Sequence, residues 1–129
     1  MGEKTILIAE DEEFNYLLVK YILEKNGYKT LRASNGEEVL RIYRSGVQLD
    51  LIVMDVKMPV MSGLEATTEI RKTDKIIPII ALTAYALPGD KEMCMEAGSS
   101  DYISKPIEKT NFLSRVKDLI DKAAHGSKN

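Results

Sequence analysis

The stretch LIVMDVKMPVMSG, residues 51–63, decides the fold of this protein. Its first four residues are all apolar, and a short run of this kind is typical of a strand buried on both faces of a parallel sheet. The run stops at Asp55. Ser62 follows, with Glu65 three residues later, which is the pattern of a capping box at a helix start. A buried strand followed closely by a helix is the repeating unit of an α/β fold.

The same unit recurs along the rest of the chain. Further apolar runs predict strands at residues 5–9, 29–33, 78–82 and 101–104. Each run is followed by a longer segment with helical spacing of its apolar residues. Five strand–helix units in sequence predict one open parallel sheet with helices on both faces.

The helix boundaries can also be predicted. The first helix should end before Gly27. Its apolar residues recur at the i, i+3, i+4, i+7, i+8 spacing of one helix face, so the predicted buried face consists of Phe14, Leu17, Leu18, Tyr21 and Ile22. Residues 34–37 resemble a capping box that begins the second helix, and the fourth helix is predicted from about Pro88 to Ala97.

The composition indicates a single globular domain and excludes several other classes of protein. The chain has 129 residues, 44% of them hydrophobic and 29% charged, which fits a single globular domain. A net charge of −2 gives no reason to expect direct nucleic-acid binding. The only cysteine, Cys94, excludes a disulfide framework and fits a reducing compartment. No apolar run approaches the ~20 residues of a membrane span. We therefore expect a cytoplasmic location.

Reactive polar residues follow four of the five predicted strands. Glu10 and Asp11 follow the first, Asp55 the third, Thr83 the fourth and Lys105 the fifth. The second strand is followed by uncharged residues, which fits a position at the sheet edge. Ligands of open parallel sheets bind beyond the carboxyl ends of the strands, so these four strand ends predict one site.

The chemistry of these side chains points to phosphoryl transfer. Neighbouring carboxylates repel one another, so either some of them take up protons or a cation neutralises them. Oxygen ligands of this kind suit Mg²⁺, with Asp11 and Asp55 as direct ligands and Glu10 acting partly through water. Asp55 is then the nucleophile, Lys105 offsets charge on the phosphoryl oxygens, and Thr83 donates one hydrogen bond.

Each residue also has an ordinary structural interpretation. An acidic pair before a helix complements the helix dipole, an Asp or Thr after a strand is commonly a turn or cap residue, and a loop lysine is commonly solvated. The coincidence of all of them at four strand ends favours the functional interpretation.

Four motifs carry a resemblance to a known family. They are IAEDE (8–12), MDVKMPVMSG (54–63), ALTA (81–84) and DYISKP (101–106). Together they resemble the CheY-like receiver domain of response regulators, over residues 4–123, with a polar tail at 124–129. The resemblance implies a flavodoxin-like (βα)₅ fold with strand order 2-1-3-4-5, and the role of phosphoacceptor in a two-component phosphorelay.

The resemblance implies a role for each residue of the site. Asp55 would be the phosphoacceptor, modified to 4-aspartylphosphate. Glu10 and Asp11 would form the acidic pair that holds Mg²⁺ together with Asp55 and the backbone carbonyl of Lys57. Lys105 would contact the phosphoryl oxygens.

Further implied residues concern switching. Thr83 would move toward the phosphoryl group and Tyr102 would change rotamer with it. Lys57 and Tyr85 occupy positions that tune the lifetime of the acyl phosphate in this family, and a bulky Tyr85 is expected either to shield it from water or merely to cover the entry to its own helix. The peptide bond before Pro106 is expected to be cis.

The resemblance also implies partners. The phosphoryl donor would be a histidine kinase or a histidine phosphotransfer domain, since the only histidine, His125, lies in the polar tail and is interpreted as incidental. The chain would not be an enzyme in its own right, although it assists its own phosphotransfer and dephosphorylation. It would act either as a single-domain regulator, through a downstream protein that the sequence does not specify, or as the receiver module of a hybrid histidine kinase.

Three other classes of protein share part of this pattern. An aspartate-nucleophile phosphatase carries a second acid two residues after the nucleophile, where this chain has Lys57. A flavin-binding electron carrier needs a phosphate-binding first loop, whereas residues 10–13 are all acidic. A structural pseudo-receiver normally lacks one of the key residues, and all are present here.

Overall fold

Five strands alternate with five helices in the computed structural model, which describes residues 3–84 and 87–126, without the side chains of the last two. The elements are β1 Thr5–Ala9, α1 Glu13–Lys25, β2 Lys29–Ala33, α2 Gly36–Arg44, β3 Leu51–Asp55, α3 Gly63–Arg71, β4 Ile79–Thr83, α4 Asp90–Ala97, β5 Asp101–Ser104 and α5 Lys109–Gly126. Tyr85 lies outside the described residues, so its predicted tuning role stays a prediction.

All five strands form one parallel sheet in the order β2-β1-β3-β4-β5. The predicted flavodoxin-like fold is therefore confirmed. The order places the chain reversal between β1 and β3, and their carboxyl ends flank the crevice in which such sheets bind ligands. In the register of β3 and β4, Asp55 lies opposite Leu82, one residue before Thr83.

Two apolar layers cover the two faces of the sheet. Leu51 and Val53 belong to the layer that also contains Phe112 of α5, whereas Ile52 and Met54 belong to the layer beneath α2 and α3. Every residue of β3 is buried for this reason. The absence of polar alternation in residues 51–54 is thus a direct consequence of helices on both sides.

The capping box at Ser62 is present, since its side chain accepts from the Glu65 backbone and the Glu65 side chain accepts from the Ser62 backbone. The box predicted at residues 34–37 is wrong. Asn35 is the cap, and its side chain accepts from the N–H of Glu38 at 2.9 Å. The Glu38 carboxylate accepts from the N–H of Ser34 and not from that of the cap, so the reciprocal bond of a capping box is not formed. Helix α4 begins at Asp90, two residues later than predicted.

The predicted buried face of α1 is wrong in three positions. Phe14, Leu17 and Tyr21 are 69%, 49% and 62% exposed, respectively. The helix buries Val19, Ile22 and Leu23 against β1 and α5, and of these three residues only Ile22 was in the predicted face. A row of large apolar side chains therefore faces solvent, beginning three residues after Asp11.

The described end of the chain is helical. Helix α5 continues to Gly126, so it includes the first three residues of the predicted polar tail. The domain limit at residue 123 stays a prediction, and residues 127–129 lie outside the described part. Within the described residues, the longest helices are too polar or too short to cross a bilayer.

Candidate functional site

The first loop places one buried and one exposed carboxylate at the end of β1. The backbone N–H of Glu10 extends the sheet by donating to the carbonyl of Ala33 at 3.0 Å. This bond holds the Glu10 side chain inward, where the residue is 1% exposed, whereas Asp11 is exposed. The next residue, Glu12, accepts from the N–H of Asn15 at 2.8 Å and so begins α1.

Asp55 ends β3 at the centre of the sheet and is 6% exposed. Its Oδ1 accepts from the N–H of Lys57 at 3.3 Å. Helix α3 starts very close to it, because a side chain at Gly63 would overlap the carbonyl oxygen of Asp55. Glycine is therefore required at residue 63 for the helix to approach the strand end.

Lys105 brings a positive charge from the end of β5 into this cluster. Its Nζ lies 3.0 Å from Oε1 of Glu10 and 3.4 Å from Oδ2 of Asp55. Burial alone would lower the pKa of Lys105, but the hydrogen bond to Glu10 and the charge of Asp55 raise it above its ordinary value. Its backbone N–H donates to the carbonyl of Thr83 at 2.7 Å. The Lys105–Pro106 peptide bond is cis.

Three carboxylates converge beside this lysine. One oxygen from each of Glu10, Asp11 and Asp55 lies within 4.8 Å of the others. Burial, followed by the hydrogen bond and charge of Asp55, raises the pKa of Glu10 to about 7, although Lys105 acts in the opposite direction. One ammonium cannot neutralise three carboxylates. The donor set consists of hard oxygens and leaves uncompensated negative charge, so it fits a divalent cation such as Mg²⁺.

The two residues of the predicted switch lie on neighbouring strands. Thr83 ends β4 and is 7% exposed. Tyr102 lies opposite Ala81 in the register of β4 and β5 and is partly buried. Burial, followed by the charge of Asp90 on α4, raises the pKa of Tyr102. The next residue, Ile103, belongs to the apolar layer with Phe112, so Tyr102 lies on the opposite face of β5, which contacts α4.

Arg32 on β2 is a component of the site that the sequence did not reveal. Its Nε and Nη2 donate to the backbone carbonyl of Glu10 at 3.3 and 3.2 Å, and its Nη1 contacts Glu13 at 2.8 Å. The guanidinium also lies 4.0 Å from the ring centroid of Tyr16. Arg32 thus anchors the acidic loop from the edge strand. Its identity alone gives no signal, because its contacts depend on the register of β2 against β1.

Comparison with known proteins agrees with this geometry. The response regulator receiver domain family matches residues 6–117. The polar-differentiation response regulator DivK of Brucella anthropi is 40% identical over 122 residues, which cover 93% of this chain and 98% of the relative.

Two solved structures illustrate the similarity in three dimensions. The receiver domain of the sensor histidine kinase PA1611 from Pseudomonas aeruginosa, with a magnesium ion in its active-site cleft, has a TM-score of 0.85 at 34% identity, covering 93% of this chain and 99% of that one. The receiver domain of Ssk1 from Saccharomyces cerevisiae, crystallised with the histidine phosphotransfer protein Ypd1, has a TM-score of 0.85 at 30% identity, covering 93% and 90%.

Proposed function

This chain belongs to the response regulator receiver domain family, and from that premise we propose that Asp55 is its phosphoacceptor. Its general role is that of a phosphoacceptor signalling domain of two-component systems. The observation that carries the residue assignment is the convergence of Glu10, Asp11 and Lys105 on the buried carboxylate of Asp55.

The transfer step uses the ionised carboxylate of Asp55. One of its oxygens attacks the phosphorus of a phosphohistidine, a phosphorus–oxygen bond forms, and the phosphorus–nitrogen bond breaks with its electron pair left on the imidazole nitrogen. Lys105 lies 3.4 Å from Asp55 and offsets charge on the phosphoryl oxygens. The N–H of Lys57 holds the other carboxylate oxygen in place.

The metal site is proposed from the same residues. Glu10, Asp11, Asp55 and the backbone carbonyl of Lys57 would hold Mg²⁺, which neutralises charge that develops on the phosphoryl oxygens. Support comes from the cluster of carboxylate oxygens and from the magnesium ion bound by the Pseudomonas receiver domain. Asp11 is the accessible ligand, and the buried Glu10 already contacts Lys105.

We propose that phosphorylation changes the conformations of Thr83 and Tyr102. Phosphorylation adds about −1.5 to −2 units of charge and three strong acceptors next to Thr83. The Thr83 hydroxyl turns toward them, and Tyr102 moves into the space that it leaves. Since Tyr102 lies on the α4 side of β5, the surface formed by α4, β5 and α5 changes with the state of Asp55.

The proposed donor is a histidine phosphotransfer domain or the equivalent domain of a histidine kinase. Its docking surface is the exposed face of α1 formed by Phe14, Leu17 and Tyr21, which begins beside Asp11. Exposed apolar rows of this length mark interaction sites. The receiver domain of Ssk1, which is similar in fold and sequence, was crystallised with such a partner.

The remaining proposals concern the context of the domain. We propose that the receiver domain spans residues 4–123 and that it is cytoplasmic. We also propose that it is not an enzyme, although it assists its own phosphotransfer and dephosphorylation. The chain acts as a single-domain regulator or as the receiver module of a hybrid kinase, through a downstream protein or a linked domain.

The test is Mg²⁺-dependent labelling by acetyl phosphate, measured by intact mass spectrometry. The parent protein should gain one phosphoryl group, and Asp55→Asn should gain none. Glu65→Gln is a matched control, because it makes the same kind of change to an exposed carboxylate at the start of α3. Equal labelling of the parent and Asp55→Asn would refute the assignment.

A further inference from the structure

A cavity of about 540 Å³ opens between the loop that follows β3 and helix α4, next to the phosphoryl site. The polar part of its lining, here called the polar wall, consists of Asp11 and Thr83 of that site together with Lys57, Ser62 and Asp90. The apolar part, here called the apolar wall, includes Met58, Leu87 and Met93. The transfer chemistry described above uses the polar wall alone, which leaves the apolar wall without a role.

The size of the cavity indicates what it can hold. An apolar cavity of roughly 150 Å³ is large enough for a benzene ring. The cavity next to the phosphoryl site is several times larger, so it accommodates a phosphoryl group together with an aromatic or branched aliphatic group attached to it. Leu87 and Met93 are 63% and 54% exposed at its rim. Covering them would remove apolar surface from water, which favours an apolar occupant.

The geometry of phosphoryl transfer indicates which part of a donor enters the cavity. The nucleophile and the leaving group lie on opposite sides of the phosphorus, so the leaving group points away from Asp55. The cavity shares Asp11 and Thr83 with the site and extends from it. We propose that it receives the leaving group of a small-molecule phosphodonor, and that this receiver favours acyl phosphates with an aromatic or apolar acyl group over acetyl phosphate.

The reaction needs no further reagent. A carboxylate oxygen of Asp55 forms a bond to phosphorus while the bond between phosphorus and the acyl oxygen breaks. The electron pair of that bond leaves with the acyl group, which departs as a carboxylate anion, and no proton is transferred. The inference rests on the proposed phosphoacceptor role of Asp55 and adds the substrate class of the same site.

The experiment compares benzoyl phosphate with acetyl phosphate as donors to the full chain in Mg²⁺, with the rate of Asp55 labelling measured for each. Benzoyl phosphate should be favoured by about tenfold, since burial of part of a phenyl ring is worth roughly 1.4 kcal/mol. The intrinsic reactivities of the two donors differ, so the decisive quantity is the benzoyl-to-acetyl rate ratio of a variant relative to that of the parent.

Met93→Gln and Leu87→Asn place polar groups in the apolar wall at positions that are more than half exposed, so both variants should fold. Each should lower the rate ratio severalfold. Ile76→Gln is the matched control, because Ile76 is 60% exposed and lines a different cavity at the opposite end of the sheet; its ratio should equal that of the parent.

The outcomes separate the two proposals. If both donors label Asp55 and the ratio is the same in the parent, Met93→Gln and Leu87→Asn, the cavity does not receive the leaving group and the inference is wrong, while the phosphoacceptor role stands. If neither donor labels Asp55, the phosphoacceptor role itself fails and the inference fails with it.

Discussion

Replacement of Arg32 by alanine should loosen the acidic loop and destabilise the fold. The guanidinium makes two hydrogen bonds to the carbonyl of Glu10, an ion pair with Glu13 and a cation–π contact with Tyr16. Hydrogen bonds that involve a charged group are worth about 1.5–3 kcal/mol and a cation–π contact about 0.5–1 kcal/mol. The ion pair adds little, because the Glu13 side chain is 67% exposed.

These contributions overlap, and Arg32 itself is 27% exposed, so we expect a loss of about 2–3 kcal/mol in the free energy of unfolding. Urea denaturation followed by circular dichroism measures it, and the midpoint should fall by about 1–2 M for a chain of this size. The Mg²⁺ affinity should fall as well, by about tenfold, because groups that orient metal ligands typically contribute this much.

Two control variants separate anchoring from simple loss of charge. Arg32→Lys keeps the charge but not the planar fork, so it should recover only part of the stability and of the Mg²⁺ affinity. Arg44→Ala removes an exposed arginine whose only ion pair in the described part of the chain, to Glu69, is 3.9 Å long, and it should cost less than about 0.5 kcal/mol. If Arg32→Ala is no more harmful than Arg44→Ala in either measurement, the anchoring role is refuted.

Three other outcomes are expected. Leu17→Asp should slow phosphotransfer from a histidine phosphotransfer domain more than it slows labelling by acetyl phosphate. If quenched time courses show that both rates fall equally, docking on α1 is refuted. Thr83→Ala should leave phosphorylation largely intact and weaken coupling to a downstream partner, and lost labelling with preserved coupling would contradict the switch role. Tyr43→Phe should destabilise the fold by roughly 1 kcal/mol at neutral pH. Burial raises the pKa of Asp74, but the 2.7 Å hydrogen bond from Tyr43 and two backbone N–H groups lower it below its ordinary value. The stabilisation is therefore full above the unfolded pKa of about 4 and disappears as pH falls through the folded pKa, so urea midpoints of the two proteins should converge in acid.

The sheet and the strand-end residues could be predicted because their signals are local. The run at residues 51–54 is apolar without alternation, and burial on both faces is the only common reason for such a run. Asp55 follows it directly in the sequence. Once the strands are parallel and neighbouring, the side chains that follow them must meet at one edge of the sheet.

The face that α1 buries could not be predicted in the same way. Apolar residues surround this helix, since Phe14, Leu17 and Tyr21 form one row and Val19 and Ile22 belong to another. Periodicity identifies a helix but not which of two apolar rows packs against the sheet. The choice depends on how the helix docks, and the spacing of apolar residues alone assigned the wrong row to the core. Their exposure supports the proposed docking surface on α1.

Arg32 was missed because its contacts are set by strand register. It lies opposite Ile8 in the pairing of β1 and β2, and this places the guanidinium beneath the carbonyl of Glu10, 22 residues earlier in the chain. A shift of one residue would turn its side chain to the other face of the sheet. The identity of residue 32 alone therefore carries no information about the site.

Lys105 shows a further limit of assigning roles by residue type. The sequence suggests a lysine for phosphoryl oxygens, yet its Nζ lies nearer Glu10, at 3.0 Å, than Asp55, at 3.4 Å. Glu10 is the more deeply buried carboxylate, at 1% exposure against 6%. A buried charge without a partner costs several kcal/mol, so the Lys105 ammonium stabilises the buried carboxylate of Glu10 more than that of Asp55. The lysine therefore has a structural task, because it allows a second buried carboxylate to stand beside Asp55. The resulting group of carboxylates is what supports the proposed site for a divalent cation.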